Sequence, residues 1–409
     1  MQRWSIGYGA TLVLVLASCG AGSHAPSATT TPPPTRSPSA AATVEASPTS
    51  TPAAPGTLAS CVGSPSASSS SAGPIIAVQI AASEVELVDT RGDVLNKTAI
   101  EPYSGLTPVG QGPDGIYLYT QSTGELQLLG LSGPLQTLAE VKPTTAFGDD
   151  FSLAASPNGQ CWILSDTSYD SNLNGTSKLY VGFNGGGGPL LLTTLTRAAS
   201  VNGSYGGGFR VLRWDASGAL LGTDPTSVGG GGPFIGDGYI LATVVSLNPL
   251  TGAVSSSLCT KGRFGDVAPD GTVACLTGSS SDAQITVTSP HGSTATIDTG
   301  MPFAGQIGFV EGSSLLTFCT SDDVETADGD WTTNLLVAKL NGQVPSPDTL
   351  SSGDGPGQNE SSYAWSKLLD GTSIVETRGD SGSSSLVMID LTTGQTTTIA
   401  PADSILGVL

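Results

Sequence analysis

Positive charge is scarce in this chain. Lys plus Arg number 14 against 34 Asp plus Glu in 409 residues, a formal net charge of −20. A phosphate backbone or an anionic leaflet is repelled by such a surface, so nucleic-acid binding is excluded as a function class. Histidine is scarcer still: only His24 and His291 occur. A Ser-His-Asp triad or a histidine metal cluster needs histidines on convergent loops, so neither is expected. His291 lies in Ser289-Pro290-His291-Gly292, where an exposed turn residue is the plain reading. Long helical periodicity is missing, and no apolar run reaches the ~20 residues of a membrane-spanning helix.

What is present at the N-terminus is a positive charge, Arg3, then an apolar run from Ile6 to Ala17, then Leu16-Ala17-Ser18-Cys19. That order matches a secretory signal peptide, here 1–18. The tetrapeptide resembles the lipobox of bacterial lipoproteins: an aliphatic residue, two small residues and a cysteine. The resemblance implies that Cys19 carries diacylglycerol and palmitate-type acyl chains and becomes the mature N-terminus, anchoring the protein in the lipid bilayer on the extracytoplasmic face of the cell membrane or envelope. The plainer alternative is an ordinary signal peptide with an accidental cysteine.

From 19 to 73 the sequence is almost entirely Ser, Thr, Pro, Ala and Gly. Such a stretch has too little apolar surface to offset its ordering entropy, and reads as a disordered spacer. The remaining residues, 74–409, read as an all-β domain of short β-branched runs between Gly, Asp, Asn and Ser turns. A domain of that length exceeds one simple core, which calls for a repeat.

The repeat is a turn between two apolar runs. Gly112-Pro113-Asp114-Gly115 precedes Ile116 to Tyr119, Ser156-Pro157-Asn158-Gly159 precedes Cys161 to Leu164, and Ala268-Pro269-Asp270-Gly271 precedes Val273 to Leu276. Weaker copies are Asp215-Ala216-Ser217-Gly218, Glu311-Gly312-Ser313 and Leu369-Asp370-Gly371. Pro presets one turn dihedral and Gly accepts a positive one, so each copy makes a tight hairpin. Their spacing of about 43 to 58 residues is the period of a four-stranded propeller blade. Two further strand candidates follow each hairpin, among them 253–258 and 344–350, which gives six blades. Ile75 to Ile80, Glu84 to Asp89 and Val94 to Ile100 supply three strands of another blade, and Ile405 to Leu409 supplies its missing one. The expected fold is therefore a seven-bladed β-propeller closed by pairing of the C-terminal strand with the N-terminal blade. The turn resembles the Ser-Pro-Asp-Gly repeat of TolB-like and other WD40-like propellers, which implies an extracytoplasmic binding role through protein partners.

Candidate sites are few. Asp170-Ser171-Asn172-Leu173-Asn174-Gly175 fits the opening of a calcium loop, with Asp170, Asn172 and Asn174 as ligands, but its twelfth position is Val181 where a Glu is needed. The acidic stretch Asp322-Asp323-Val324-Glu325 with Asp328-Gly329-Asp330 reads as a solvated loop or an ion site. Arg91-Gly92-Asp93 and Arg378-Gly379-Asp380 spell an adhesion tripeptide, yet Gly-Asp is ordinary turn chemistry. Trp162, Trp214, Trp331 and Trp365 either line a sugar-binding face or pack between blades. Of the cysteines beyond Cys19, the four in the domain allow three pairings. Cys259 with Cys275 is preferred because one ends a blade and the other begins the next, against the alternative of small apolar residues packed on a neighbouring blade. Cys61, in the spacer, has no evident partner. The expected function is a non-enzymatic binding module for an envelope protein or glycan, without a cofactor other than calcium at that loop. The alternative is an envelope carbohydrate hydrolase with a carboxylate acid/base pair.

Overall fold

Period-two alternation of apolar residues, with apolar side chains on both faces of many strands, demands sheets sandwiched between other sheets. The computed structural model describes residues 58–62, 73–80, 83–100, 106–143, 150–172, 174–198, 208–215, 218–223, 243–255, 257–260, 262–268, 270–279, 282–310, 314–325, 331–340, 347–355, 367–368, 372–378 and 384–409. Within them the regular structure is strands, apart from one turn of 3-10 helix at Leu58–Val62. The first sheet holds β1 (Ile75–Ile80), β2 (Glu84–Asp89) and β3 (Val94–Ala99). The second holds eight strands: β4 (Leu106–Gly112), β5 (Gly115–Thr120), β6 (Glu125–Gly130), β7 (Gln136–Glu140), β8 (Asp150–Ala155), β9 (Cys161–Tyr169), β10 (Gly175–Phe183) and β11 (Leu190–Arg197). A three-stranded sheet follows, β12 (Phe209–Asp215), β13 (Gly218–Thr223) and β14 (Thr243–Leu247).

Two four-stranded meanders come next: β15 (Arg263–Val267) to β18 (Thr294–Asp298) through β16 (Val273–Ser279) and β17 (Asp282–Thr288), then β19 (Phe303–Phe309), β20 (Leu315–Glu325), β21 (Trp331–Lys339) and β22 (Asp348–Gly355). The last meander is β23 (Lys367–Leu368), β24 (Ser373–Arg378), β25 (Ser385–Asp390) and β26 (Thr396–Pro401). The final strand, β27 (Ser404–Val408), returns to the first sheet and lies antiparallel to β1, with Ile76 opposite Val408. The backbone N–H of Leu409 donates to the Ile75 carbonyl at 2.8 Å. The C-terminal strand thus completes the N-terminal sheet.

Burial shows how the sheets stand relative to one another. Along β5, Ile116 and Leu118 pack with Ile75, Ala77 and Leu87 of the first sheet, while Tyr117 and Tyr119 pack with Leu153, Trp162 and Leu164. Along β9, Ile163 turns the other way, toward Val211, Ala219, Leu221 and Val245. Leu220 and Val244 then meet Phe264 and Val267, and Ala274 with Ile285 meets Phe309 and Phe318. Val310 and Cys319 meet Ile374 and Ile389. Finally Val375 and Leu386 meet Ile76, Val78 and Ile405. Each sheet therefore gives one face to the sheet before it and one to the sheet after it, and the series closes on itself. This is a propeller-like, radial arrangement, not two stacked layers.

The eight-stranded sheet divides at a seam where β4 and β8 run parallel over only two residue pairs, Gly110 with Leu153 and Gln111 with Ala154. The first strands of these two meanders therefore run in the same direction, so their hairpins before β5 and β9 lie at one end. At the next junction side chains replace backbone pairing. Ser177 Oγ accepts from the Phe209 N–H at 2.7 Å, Ser165 Oγ donates to the Phe209 carbonyl at 2.6 Å, and Ser152 Oγ accepts from the Val211 N–H at 2.8 Å. These hydroxyls satisfy the edge of β12, which would otherwise carry orphaned polar groups.

Three expectations need correction. The outer strand at 253–258 is not regular in its described residues: it follows β14 through one bridge, Leu247 with Val254, and the hydrogen bonds Ser255 N to Ser246 O and Leu258 N to Val244 O. There Ser255 Oγ takes the Ser246 N–H at 2.9 Å, competing with the ladder. Of the strand expected from Val344 to Leu350, 344–346 lie outside the described residues, Pro347, which has no N–H to donate, is not in a strand, and β22 runs from Asp348. Third, the spacer does not run unbroken to 73: Leu58–Val62 is folded, with Cys61 buried in a core cluster and Leu58 packed against it. Residues 1–57, with Cys19 and His24, lie outside the described residues, as do the turns at 311–313 and 369–371.

Candidate functional site

A propeller commonly works through its inner strands and the loops at its two ends. On the inner strands, one charged network stands out. Asp266 on β15 accepts from Arg213 Nη1 of β12 at 2.9 Å and from its neighbour Val267 N–H at 2.8 Å, both on Oδ1, while Oδ2 accepts from the Phe309 N–H of β19 at 2.8 Å. Arg213 Nη2 also donates to the Val267 carbonyl, and Arg213 Nε lies 3.5 Å from Asp215. One carboxylate thus ties three successive inner strands together. Burial pushes the Asp266 carboxyl above its ordinary range, with Arg213 and the two backbone donors pulling it back only in part. Both its oxygens are engaged, so it serves as a linker and offers little as a general acid or base.

At the hairpin end, the second and third meanders meet around Asn184. Its Nδ2 donates to the Gly159 carbonyl at 2.6 Å and to Tyr117 Oη at 3.0 Å. Burial pushes the Tyr117 hydroxyl up to about 12, so it stays protonated. Burial also raises the Asp114 carboxyl beside Gly159. The chain that precedes the domain arrives here: Cys61 is disulfide-bonded to Cys161 with Cα atoms 5.4 Å apart, and Asn158 Nδ2 donates to the Ser60 carbonyl at 2.7 Å. The expectation that Cys61 has no partner is overturned, since the partner lies 100 residues away in sequence and only the ring brings it near. The lone Leu58 amid Ser, Thr, Pro and Ala was the available signal. Cys259 and Cys275 form the second bridge, Cα to Cα 5.9 Å, and Cys319 is buried outside both.

The loop proposed for calcium is a turn closed on its own carboxylate. Asp170 Oδ1 accepts from the N–H groups of Asn172 and Asn174 at 2.8 and 2.9 Å, and Oδ2 accepts from Asn174 Nδ2 at 2.8 Å. Val181, at the twelfth position, is fully buried in an apolar cluster. The twelfth position therefore offers no oxygen ligand, and no group of three His, Cys, Asp or Glu that could hold a metal gathers among the described residues. In Arg91-Gly92-Asp93 the arginine folds back on Asp89, donating from Nε and Nη2 at 2.9 and 2.7 Å. This is a self-satisfied turn rather than an extended adhesive tip. Residues 379–380 of the second tripeptide and 328–330 of the acidic stretch fall outside the described residues. Trp162 and Trp214 are buried between sheets, unavailable as a sugar platform; Trp365 lies outside the described residues, and the side chain of Trp331 is not described. His291 is exposed in its turn.

Four turn aspartates share a pH consequence. Asp170, Asp270 and Asp390 titrate below the ordinary range because side chains and N–H groups within their own turns donate to them, led by Asn174, Thr272 and Thr393 respectively. For Asp89 burial pushes upward, but hydrogen bonds from the Arg91 side chain and the N–H groups of Asp93 and Arg91 prevail, and it too is lowered. A carboxyl whose folded pKa is depressed stabilises the fold above its unfolded value of about 3.9, and that contribution disappears as pH falls through the folded value. The expected result is a urea midpoint that drops between pH 5 and pH 2, with a shallower drop in D170N/D390N. An unchanged slope in that variant refutes the assignment.

No known protein-family profile matches the chain, and no curated protein matches it. Among the described residues no helix is long and apolar enough to cross a membrane. Solved structures similar to it include a protein assigned as TolB from Agrobacterium tumefaciens, 17% identical, covering 70% of this chain and 91% of that one at a TM-score of 0.40. An uncharacterized protein of Listeria monocytogenes is 11% identical, with 75% and 85% covered and a TM-score of 0.45. The WD40 domain of SCAP from fission yeast is 10% identical, with 79% and 83% covered and a TM-score of 0.41. The propeller-like arrangement stands on the strand pairings and the closed series of cores in this chain itself.

Proposed function

We propose that this chain is a lipid-anchored, extracytoplasmic, seven-bladed β-propeller that binds a protein or glycan of the cell envelope without catalysis. The count of seven follows from splitting the eight-stranded sheet at its parallel seam and treating the three-stranded sheet as a blade with a ragged outer strand; seven buried clusters then alternate with seven blades. The observation that carries the location is the pair of disulfides, Cys61–Cys161 and Cys259–Cys275, because such bridges persist in oxidising compartments outside the cytoplasm. It agrees with the signal-type N-terminus and with Leu16-Ala17-Ser18-Cys19. Acylated Cys19 joins the chain to the bilayer. Asp266, the most deeply embedded carboxylate of the inner-strand network, has both oxygens engaged and is set aside as the acid or base of a hydrolase.

Metabolic labelling with an alkyne fatty acid tests the anchor. The wild-type chain takes up label and enters the detergent phase, whereas Cys19→Ser does neither. Label persisting in C19S would remove Cys19 from the reading. Crosslinking of the lipidated protein in intact envelopes, followed by identification of what is captured, tests the binding role.

A further inference from the structure

We propose that the outer rim where β11 meets the turn after β14 is a lipid-docking surface that lays this part of the propeller on the bilayer. The inference rests on the anchor reading above and adds a second, non-covalent contact to it. Leu190 and Leu191 on β11 are 51% and 56% exposed, and Leu250 and Val254 flanking the turn at Gly252 are 43% and 37% exposed. The turn and the strand adjoin, because Gly252, at φ +71°, lies so close to β11 that an added Cβ would meet the Leu192 carbonyl oxygen at 2.9 Å, while Leu190, opposite Val181, and Leu191, opposite Tyr180, flank the edge of β11 on its two faces. Soluble surfaces scatter single apolar residues; a contiguous group is the exception.

Two independent observations identify the occupant. The first is position. The turn leading into β11 touches the hairpin before β9, with Asn184 N–H donating to the Gln160 carbonyl at 2.9 Å, and Phe183 is paired opposite Cys161. Cys161 holds Cys61, so the chain preceding Leu58 departs from this same corner of the domain. The second is charge. In a chain with 34 acidic residues, 51–74, 182–196 and 243–260 contain no charged residue at all. An acidic protein is repelled by an anionic leaflet everywhere except where its surface is neutral, and this neutral aliphatic corner is the one tied to the anchor.

The test uses the full-length lipidated protein in zwitterionic phospholipid vesicles containing brominated acyl chains. Leu250→Trp is expected to show quenching above the parent's, while Asn172→Trp, at the opposite end of the meander, shows none. In the C19S background, where no anchor acts, L190S/L191S/L250S is expected to lower vesicle partition about tenfold. All three side chains are exposed, so thermal melting should match the parent and exclude misfolding. Absence of quenching in L250W of a protein that does take up the acyl label overturns docking while leaving the anchor standing. Quenching and partition without acyl label overturn the anchor and leave docking. If the rim variant instead abolishes self-association in vesicle-free solution, the occupant is a second copy and the lipid proposal fails.

Discussion

Replacing Cys61 by Ser is expected to lower the thermal midpoint by about 5 to 10 °C under oxidising conditions, the larger of the two disulfide effects. The bridge closes a loop with a sequence separation of 100 residues. Restraining a loop of that size in the unfolded chain is worth about 4.7 kcal/mol in the chain-entropy account, and unfolding entropy for a domain of this size converts this to roughly 7 °C. The bridge also holds the 3-10 turn against the core, so Leu58 loses its packing when it opens. Cys259→Ser, whose loop has a separation of 16, is expected to cost about 3 kcal/mol. Calorimetry of both variants against Cys319→Ser, which removes no bridge, orders the effects. A C61S midpoint equal to that of the parent would mean that the 58–62 segment contributes nothing to the fold.

Asp266→Ala is expected to destabilise by about 2 to 4 kcal/mol. The change removes the acceptor for Arg213 and leaves the Phe309 N–H without its partner, and breaking one side of an embedded pair costs more than the pair contributes. The lower part of the range for buried pairs applies because Arg213 keeps 36% of its side chain exposed. Asp266→Asn retains acceptor capacity for one backbone donor and is expected to lose less. Denaturant titration separates them, and equal losses in the two variants would show that charge, not hydrogen bonding, holds the three inner strands together. Loss of the link frees β12, β15 and β19 together, so the variant is also expected to exchange amide hydrogens faster along all three.

Much of the architecture was legible. The Pro-Asp-Gly and Pro-Asn-Gly turns fall between β4 and β5, β8 and β9, and β15 and β16, as their dihedral requirements dictate. Ile405 belongs to a strand that pairs with β1, because an apolar C-terminal run and an N-terminal sheet lacking a partner leave each other the simplest completion. Where the reading slipped, local chemistry competed: the Ser255 hydroxyl takes the Ser246 N–H beside the irregular strand after β14. At the loop proposed for calcium the sequence supplies spacing but not orientation. Asn174 presents its amide nitrogen to Asp170, which a sequence pattern cannot show.

The sequence by itself determined the strands, their hairpins and the apolar character of both sheet faces, because these follow from dihedral preferences and period-two alternation over a few residues. Only the tertiary structure decided that Cys61 meets Cys161, that Asp266 joins three strands, and that Leu190 and Leu250 share a neutral corner. Those contacts join residues tens to a hundred positions apart, and their distance is set by closure of the ring, a property no local stretch of chain carries.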